Sequence, residues 1–151
     1  MPTQFDLEAF LPYRLSVLTN TISQGIAASY RDEYGISVTE WRILAVLGRY
    51  PGLTASEVTD RTAMDKVTIH RGVKSLLEKQ LLERKSDPVD RRRRILTLTP
   101  GRGQAILKNV IPRARNYERR LLDALEPGEA ALLDVLLHKL QQAANAALKA
   151  N

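Results

Sequence analysis

The chain has 151 residues, enough for one domain with a buried core, and carries a net charge of +6. It contains no cysteine, which excludes disulfides, thiolate metal sites and sensing by thiol oxidation. Its two histidines and scattered carboxylates assemble no metal site or catalytic triad, so the expectation is a non-enzyme with no cofactor.

Leu7, Leu11, Leu15, Leu18, Ile22 and Ile26 recur at spacings of three and four, which predicts one amphipathic helix over 6–34, stopped by Gly35. Ser37 and Glu40 form a capping box for a second helix, which carries Trp41, Leu44, Ala45 and Leu47 inward and ends before Pro51-Gly52. Thr54 and Glu57 open a short helix to about 62, and a further helix is predicted over 65–80. Segments 82–86 and 95–99 suit β-strands. Between them, Asp87-Pro88 starts a turn, and four arginines at 91–94 mark an exposed hairpin tip.

Thr99, with Pro100 in the first turn, caps a long helix to about 125, which Pro112 should kink or locally break. A last helix follows Glu126-Pro127-Gly128-Glu129 and carries Leu132, Leu133, Leu136, Leu137, Leu140 and Leu148 in one stripe. His138 reads as a boundary residue of that stripe. The fold expected is mainly α with a small β-hairpin wing, in a single domain 1–151 whose winged helix-turn-helix lobe spans 37–99. No signal-type start and no run of about 18 apolar residues is present, which implies a cytoplasmic protein with no membrane partner.

The charge is unevenly placed. Residues 1–65 hold five Lys/Arg against eight Asp/Glu, 66–94 hold ten against four, and 95–151 hold eight against five. A concentrated basic stretch is the footprint of a polyanion binder, or else a solvated surface with no partner. In the 65–80 helix, at about 100° per residue, Ile69, Val73, Leu76 and Leu77 form the core face, and Gln80 falls with them. Val67, Thr68, Arg71, Lys74, Ser75 and Glu78 lie opposite. Arg71 suits a bidentate contact with guanine, Thr68 a base or phosphate, and Val67 a thymine methyl. Lys66 and Lys74 suit phosphates. His70, at the edge of the core face, suits either a local hydrogen bond or a base. Gly72 in mid-helix suggests close approach to a neighbouring helix or to DNA. The plainer alternative is the solvated face of an ordinary amphipathic helix.

Trp41-Arg-Ile-Leu, Arg61-Thr-Ala-Met-Asp-Lys66, Gly72-Val-Lys-Ser-Leu-Leu-Glu78 and above all 87–101, Asp-Pro-Val-Asp-Arg-Arg-Arg-Arg-Ile-Leu-Thr-Leu-Thr-Pro-Gly, resemble the MarR (multiple antibiotic resistance regulator) family. The resemblance implies a sequence-specific regulator, usually a repressor, binding a pseudo-palindromic operator on double-stranded DNA. It implies a wing in which Asp90 is structural and an arginine enters the minor groove. Arg92 matches the family position, while Arg91, Arg93 and Arg94 exceed the pattern, so Arg91, Arg92 and Arg93 are all DNA-facing candidates. Thr68 and Arg71 are implied as base or phosphate contacts, with Ser75 on the same face. The resemblance further implies a homodimer through helices 6–34 and 100–149, with recognition helices about 34 Å apart.

Family members commonly sense small aromatic or phenolic acids, and candidate lining residues here are Tyr13, Arg14, Asn20, Trp41 and Arg42. Core packing for Trp41 and structural ion pairs for Arg14 or Arg42 compete with that reading. Two other functions stay open: a low-specificity architectural DNA binder, and a winged helix recruited for protein interaction.

Overall fold

The computed structural model describes residues 4–151. They form α1 (Leu11–Ala27), α2 (Arg31–Tyr34), α3 (Val38–Arg49), α4 (Ala55–Thr62), α5 (Lys66–Glu78), β1 (Leu82–Ser86), β2 (Arg94–Leu98), α6 (Arg102–Leu122) and α7 (Glu129–Ala150). The mainly helical fold with a β-hairpin wing is the one expected. The chain divides into two compact units, one ending at Ala114 and the other Arg115–Asn151. Among the described residues, no helix is long and apolar enough to cross a membrane.

The core of the first unit gathers Ile43, Leu44 and Leu47 of α3, Val58 of α4, Ile69, Val73 and Leu76 of α5, Leu82, Leu96 and Leu98 of the hairpin, and Val110 of α6. Each comes from the apolar stripe of its element, so burial of these stripes is what holds the elements together. The hairpin is antiparallel, with Leu82 opposite Leu98 and Ser86 opposite Arg94. Leu53, just before α4, adds a bridge to Leu96, which seats the wing's inner strand beside the helix-turn-helix.

Several boundaries differ from the sequence reading, for local reasons. The first helix starts at Leu11, with Pro12 in its first turn where a missing N–H costs nothing. It stops at Ala27 rather than running on to 34: Ser29 donates its hydroxyl to the Ile26 carbonyl at 2.6 Å, and Tyr30 turns into the core against Trp41, with ring centroids 5.8 Å apart. Helix α5 ends before Gln80, which takes a left-handed conformation with φ 60. The Leu81 amide then reaches the Leu76 carbonyl and the Gln80 amide reaches Leu77, a Schellman ending built without glycine. Helix α6 continues through Pro112 to Leu122, and Thr99 caps it by accepting the Gly103 amide at 2.9 Å. Helix α7 has no buried residue.

Candidate nucleic-acid interface

Asp65 starts α5 by accepting the Thr68 amide at 2.9 Å on its side chain. The hydrogen bonds from the Thr68 hydroxyl and amide hold the Asp65 carboxyl below its ordinary value, so the cap stays charged. From there the helix periodicity sorts the side chains. Ile69, Gly72, Val73 and Leu76 face the core, while Lys66, Val67, His70, Arg71 and Lys74 are exposed and line one open depression. Val67 is 59% exposed, an apolar side chain left in water amid cations. His70 therefore joins the outward stripe rather than the core edge.

Gly72 lets α5 approach α3. A Cβ there would lie 2.6 Å from Ile43 Cδ1 and 3.2 Å from Thr39 Cγ2. The contact is to α3, which settles the mid-helix glycine as a packing device.

Two residues counted with the DNA-facing set turn elsewhere. Ser75 donates its hydroxyl to Glu40 Oε2 at 3.1 Å, against α3, because a buried carboxylate there needs donors. Arg93 points back from the wing, donating to Asp87 at 2.7 Å and pairing with Glu57 of α4. Thr68 keeps its place on α5, but its hydroxyl hydrogen is committed to Asp65.

The wing tip is held by its two aspartates. Asp87 accepts the Val89 amide at 2.8 Å, and Asp90 accepts the Arg92 amide at 3.1 Å. The backbone closes the loop, with the Asp87 amide on the Arg93 carbonyl at 2.9 Å and the Arg93 amide on the Asp90 carbonyl at 3.0 Å. Arg91 is left exposed, and the Arg92 side chain is 97% exposed. Asp87, first noted only as a turn starter, does as much for the wing as Asp90.

The sequence shows the carboxylate of Glu40 only as a capping-box member. It does close that box with Ser37, and it also receives both Ser75 and the Lys79 ammonium, at 2.8 and 3.0 Å. Lys79 also donates to the Gly35 carbonyl at 2.7 Å. The outward stripe is therefore anchored at its C-terminal end to the start of α3. The signal missed was a lysine one residue past α5, whose partner is 39 positions away.

The five candidate sensor residues have different surroundings. Tyr13 and Arg14 line a shallow depression on α1 with Glu8, Val17, Leu18 and Thr21. Trp41 packs on Tyr30, Arg42 donates to Ser23 at 2.7 Å, and Asn20 is exposed on α1. Beside Trp41, burial pushes the Tyr30 hydroxyl above its ordinary value despite the charges of Arg31 and Arg42, and it has no partner among the described residues. No group of three or more potential metal-ligating side chains occurs among the described residues.

Helix α3, the α4–α5 pair and the β1–β2 hairpin together define a winged helix-turn-helix lobe. The MarR family model matches residues 34–93, which hold α3, α4, α5, β1 and the wing tip but stop before β2, and this segment resembles the MarR family. It is 32% identical over 91 residues to the HTH-type transcriptional regulator TcaR of Staphylococcus aureus strain Newman, a match covering 59% of this chain and only 59% of that relative's length. A solved MarR/EmrR family transcriptional regulator from Acinetobacter sp. ADP1 is 27% identical with a TM-score of 0.84, over 94% of this chain and 99% of that one. The PcaV transcriptional regulator from Streptomyces coelicolor, solved in complex with its natural ligand, is 25% identical with a TM-score of 0.77, over 94% of this chain and 99% of that one.

Proposed function

We propose that the chain is a sequence-specific transcriptional regulator acting in the cytoplasm, which binds a pseudo-palindromic operator as a homodimer and represses where that operator overlaps a promoter. The observation that carries the reading is the outward face of α5. Lys66, Arg71 and Lys74 surround the exposed Val67, with the exposed wing arginines Arg91 and Arg92 on the neighbouring hairpin, Arg92 only loosely paired with Asp90 at 3.9 Å. Cations fix a protein on phosphates, while an arginine fork and an apolar contact distinguish bases in the major groove. A basic surface serving solubility alone has no need of an exposed valine at its centre.

Dimerisation is supported by uncovered apolar helix surface. Leu11, Leu15 and Leu18 on α1 are 37–53% exposed, and Leu132, Leu136 and Leu140 on α7 are 43–56% exposed. Such rows are costly in water and suit burial against a second copy. The lobe 37–99 then reads DNA, while 6–34 and 100–149 join the protomers. An effector of small aromatic carboxylate or phenolic type would release the operator by favouring a dimer with wrongly spaced recognition helices. The Trp41 ring and the Arg42 guanidinium supply the chemistry for such a ligand, and PcaV is a regulator solved with its natural ligand. A panel of aromatic carboxylates that leaves operator binding unchanged overturns the effector reading.

The test of the main reading is selection from a random duplex pool. The expected product is an inverted repeat with half-sites about 10 base pairs apart, or a multiple of that; recovery of no repeat overturns it. On the selected duplex, Arg71→Ala should cost about 1–3 kcal/mol and relax preference at one base position. Lys74→Ala should instead weaken all sequences alike and reduce the salt slope by about one. Equal behaviour of both variants on selected and random DNA excludes α5 as the reading helix.

A further inference from the structure

Four consecutive arginines stand at 91–94, and the structure separates them into two kinds. The Arg92 side chain is 97% exposed, whereas that of Arg93 is 40% exposed and forked between two carboxylates. One terminal nitrogen of Arg93 donates to Asp87 Oδ2 at 2.7 Å, and the other pairs with Glu57 Oε1. Both carboxylates are themselves held. Asp87 is 14% exposed and also accepts the Val89 amide that shapes the wing turn. Glu57 is the third residue of α4, its amide bonded to the Thr54 cap and its carboxylate taking the Thr54 hydroxyl at 3.1 Å. The guanidinium therefore spans from the wing tip to the first turn of the helix that braces α5.

We infer that Arg93 is a positioning residue: it straps the wing to α4 through Asp87 and Glu57, and so fixes where Arg91 and Arg92 are presented to DNA. The inference rests on the DNA-binding reading above only for its functional consequence. A planar fork with two outward donors suits this span, since each carboxylate takes its own N–H. To reach a phosphate, Arg93 would have to abandon both partners and leave Glu57 and Asp87 uncompensated near a polyanion. Partly exposed pairs contribute little to global stability. The strap's effect is therefore on wing order, not on the melting temperature.

The sign of one substitution separates this role from direct DNA contact. Glu57→Gln removes a negative charge, which by electrostatics alone strengthens binding to any duplex. It also keeps a side chain suited to the helix N-terminus. A strap predicts the opposite for the selected duplex: Glu57→Gln and Arg93→Gln each weaken it about threefold to tenfold, the scale of one side chain's lost ordering. The double variant should be no weaker than the poorer single one, because both remove the same link.

In the DNA-free protein, hydrogen exchange at the amides of residues 87 and 93 should accelerate in either variant, with the melting temperature moved by only a few degrees. Unchanged or tighter binding of the selected duplex by Glu57→Gln overturns the inference. So does wild-type exchange at residues 87 and 93 in Arg93→Gln, or additive losses in the double variant. If the parent protein selects no duplex at all, the DNA-binding reading fails, while the exchange experiment still decides the strap.

Discussion

Gly103→Ala is expected to lower the stability of the protein by about 3 kcal/mol and its melting temperature by roughly 10 °C. Gly103 is buried in the first turn of α6, and a Cβ there would lie 2.3 Å from the Leu81 carbonyl oxygen, 3.1 Å from Thr99 Oγ1 and 3.2 Å from Leu98 Cβ. The Leu81 oxygen is backbone, Leu98 Cβ is one bond from it, and Thr99 Oγ1 is held by its hydrogen bonds with the Gly103 amide and the Gln80 carbonyl, so none swings aside freely. The Leu81 carbonyl also accepts the Thr99 amide at 3.1 Å, and the Thr99 hydroxyl donates to Gln80 at 2.8 Å. Relief of the clash therefore opens the junction where α5 leads into β1 and β2 leads into α6. Gly48→Ala is the matched control. The three atoms nearest its Cβ would all belong to Leu107, the first being Cδ2 at 2.2 Å, the end of a flexible side chain. Gly48 is the second-last residue of α3, where replacing a glycine gains at most roughly 0.5–1 kcal/mol, so that variant should stay within about 1 kcal/mol of the parent. Urea denaturation of both decides it; a Gly103→Ala midpoint equal to that of Gly48→Ala sinks the prediction.

The fold was legible because its signals are local and repeated. Apolar spacing, the Ser37 and Asp65 caps and the turn residues around 87–90 place most elements within a few residues of where they lie. The misplaced ends have no local signal. Gln80 adopts a left-handed ending usually given to glycine, and α1 stops where Tyr30 is drawn into the core by Trp41 from another helix. The candidate interface divides along the same line. Val67, Arg71 and Lys74 follow from helical angle alone. Ser75 and Arg93 do not, because Glu40 and Glu57, 35 and 36 positions away, compete for their donors. A residue's face can be read from its own helix. Its partner must be read from the packing.

The half-buried ion pair at the foot of α5 should make the protein acid-sensitive, and Glu40→Gln should remove part of that sensitivity. Burial pushes the Glu40 carboxyl up, but hydrogen bonds from Lys79, the Ser37 amide and Ser75, with the Lys79 charge, together bring it below its ordinary value. A carboxyl depressed in the folded state stabilises fully above its unfolded value, about 4.3, and the contribution fades as pH falls through the folded value. Glu40→Gln keeps a side chain able to accept from Ser37 but leaves Lys79 without its counter-charge. Loss of one partner of a fully buried pair costs about 3–5 kcal/mol. Lys79 is 37% exposed and retains some hydration, so a loss of about 2 kcal/mol at pH 7 is expected. The gap between parent and variant should narrow as pH falls below the ordinary carboxyl range, where the parent also loses the charge. Urea midpoints between pH 3 and 7 test this, and a gap that stays constant or widens in acid rules it out. Because Lys79 and Ser75 tie α5 to the start of α3, the variant should also loosen the end of α5 that lies beyond Lys74, weakening the DNA binding proposed above at neutral pH.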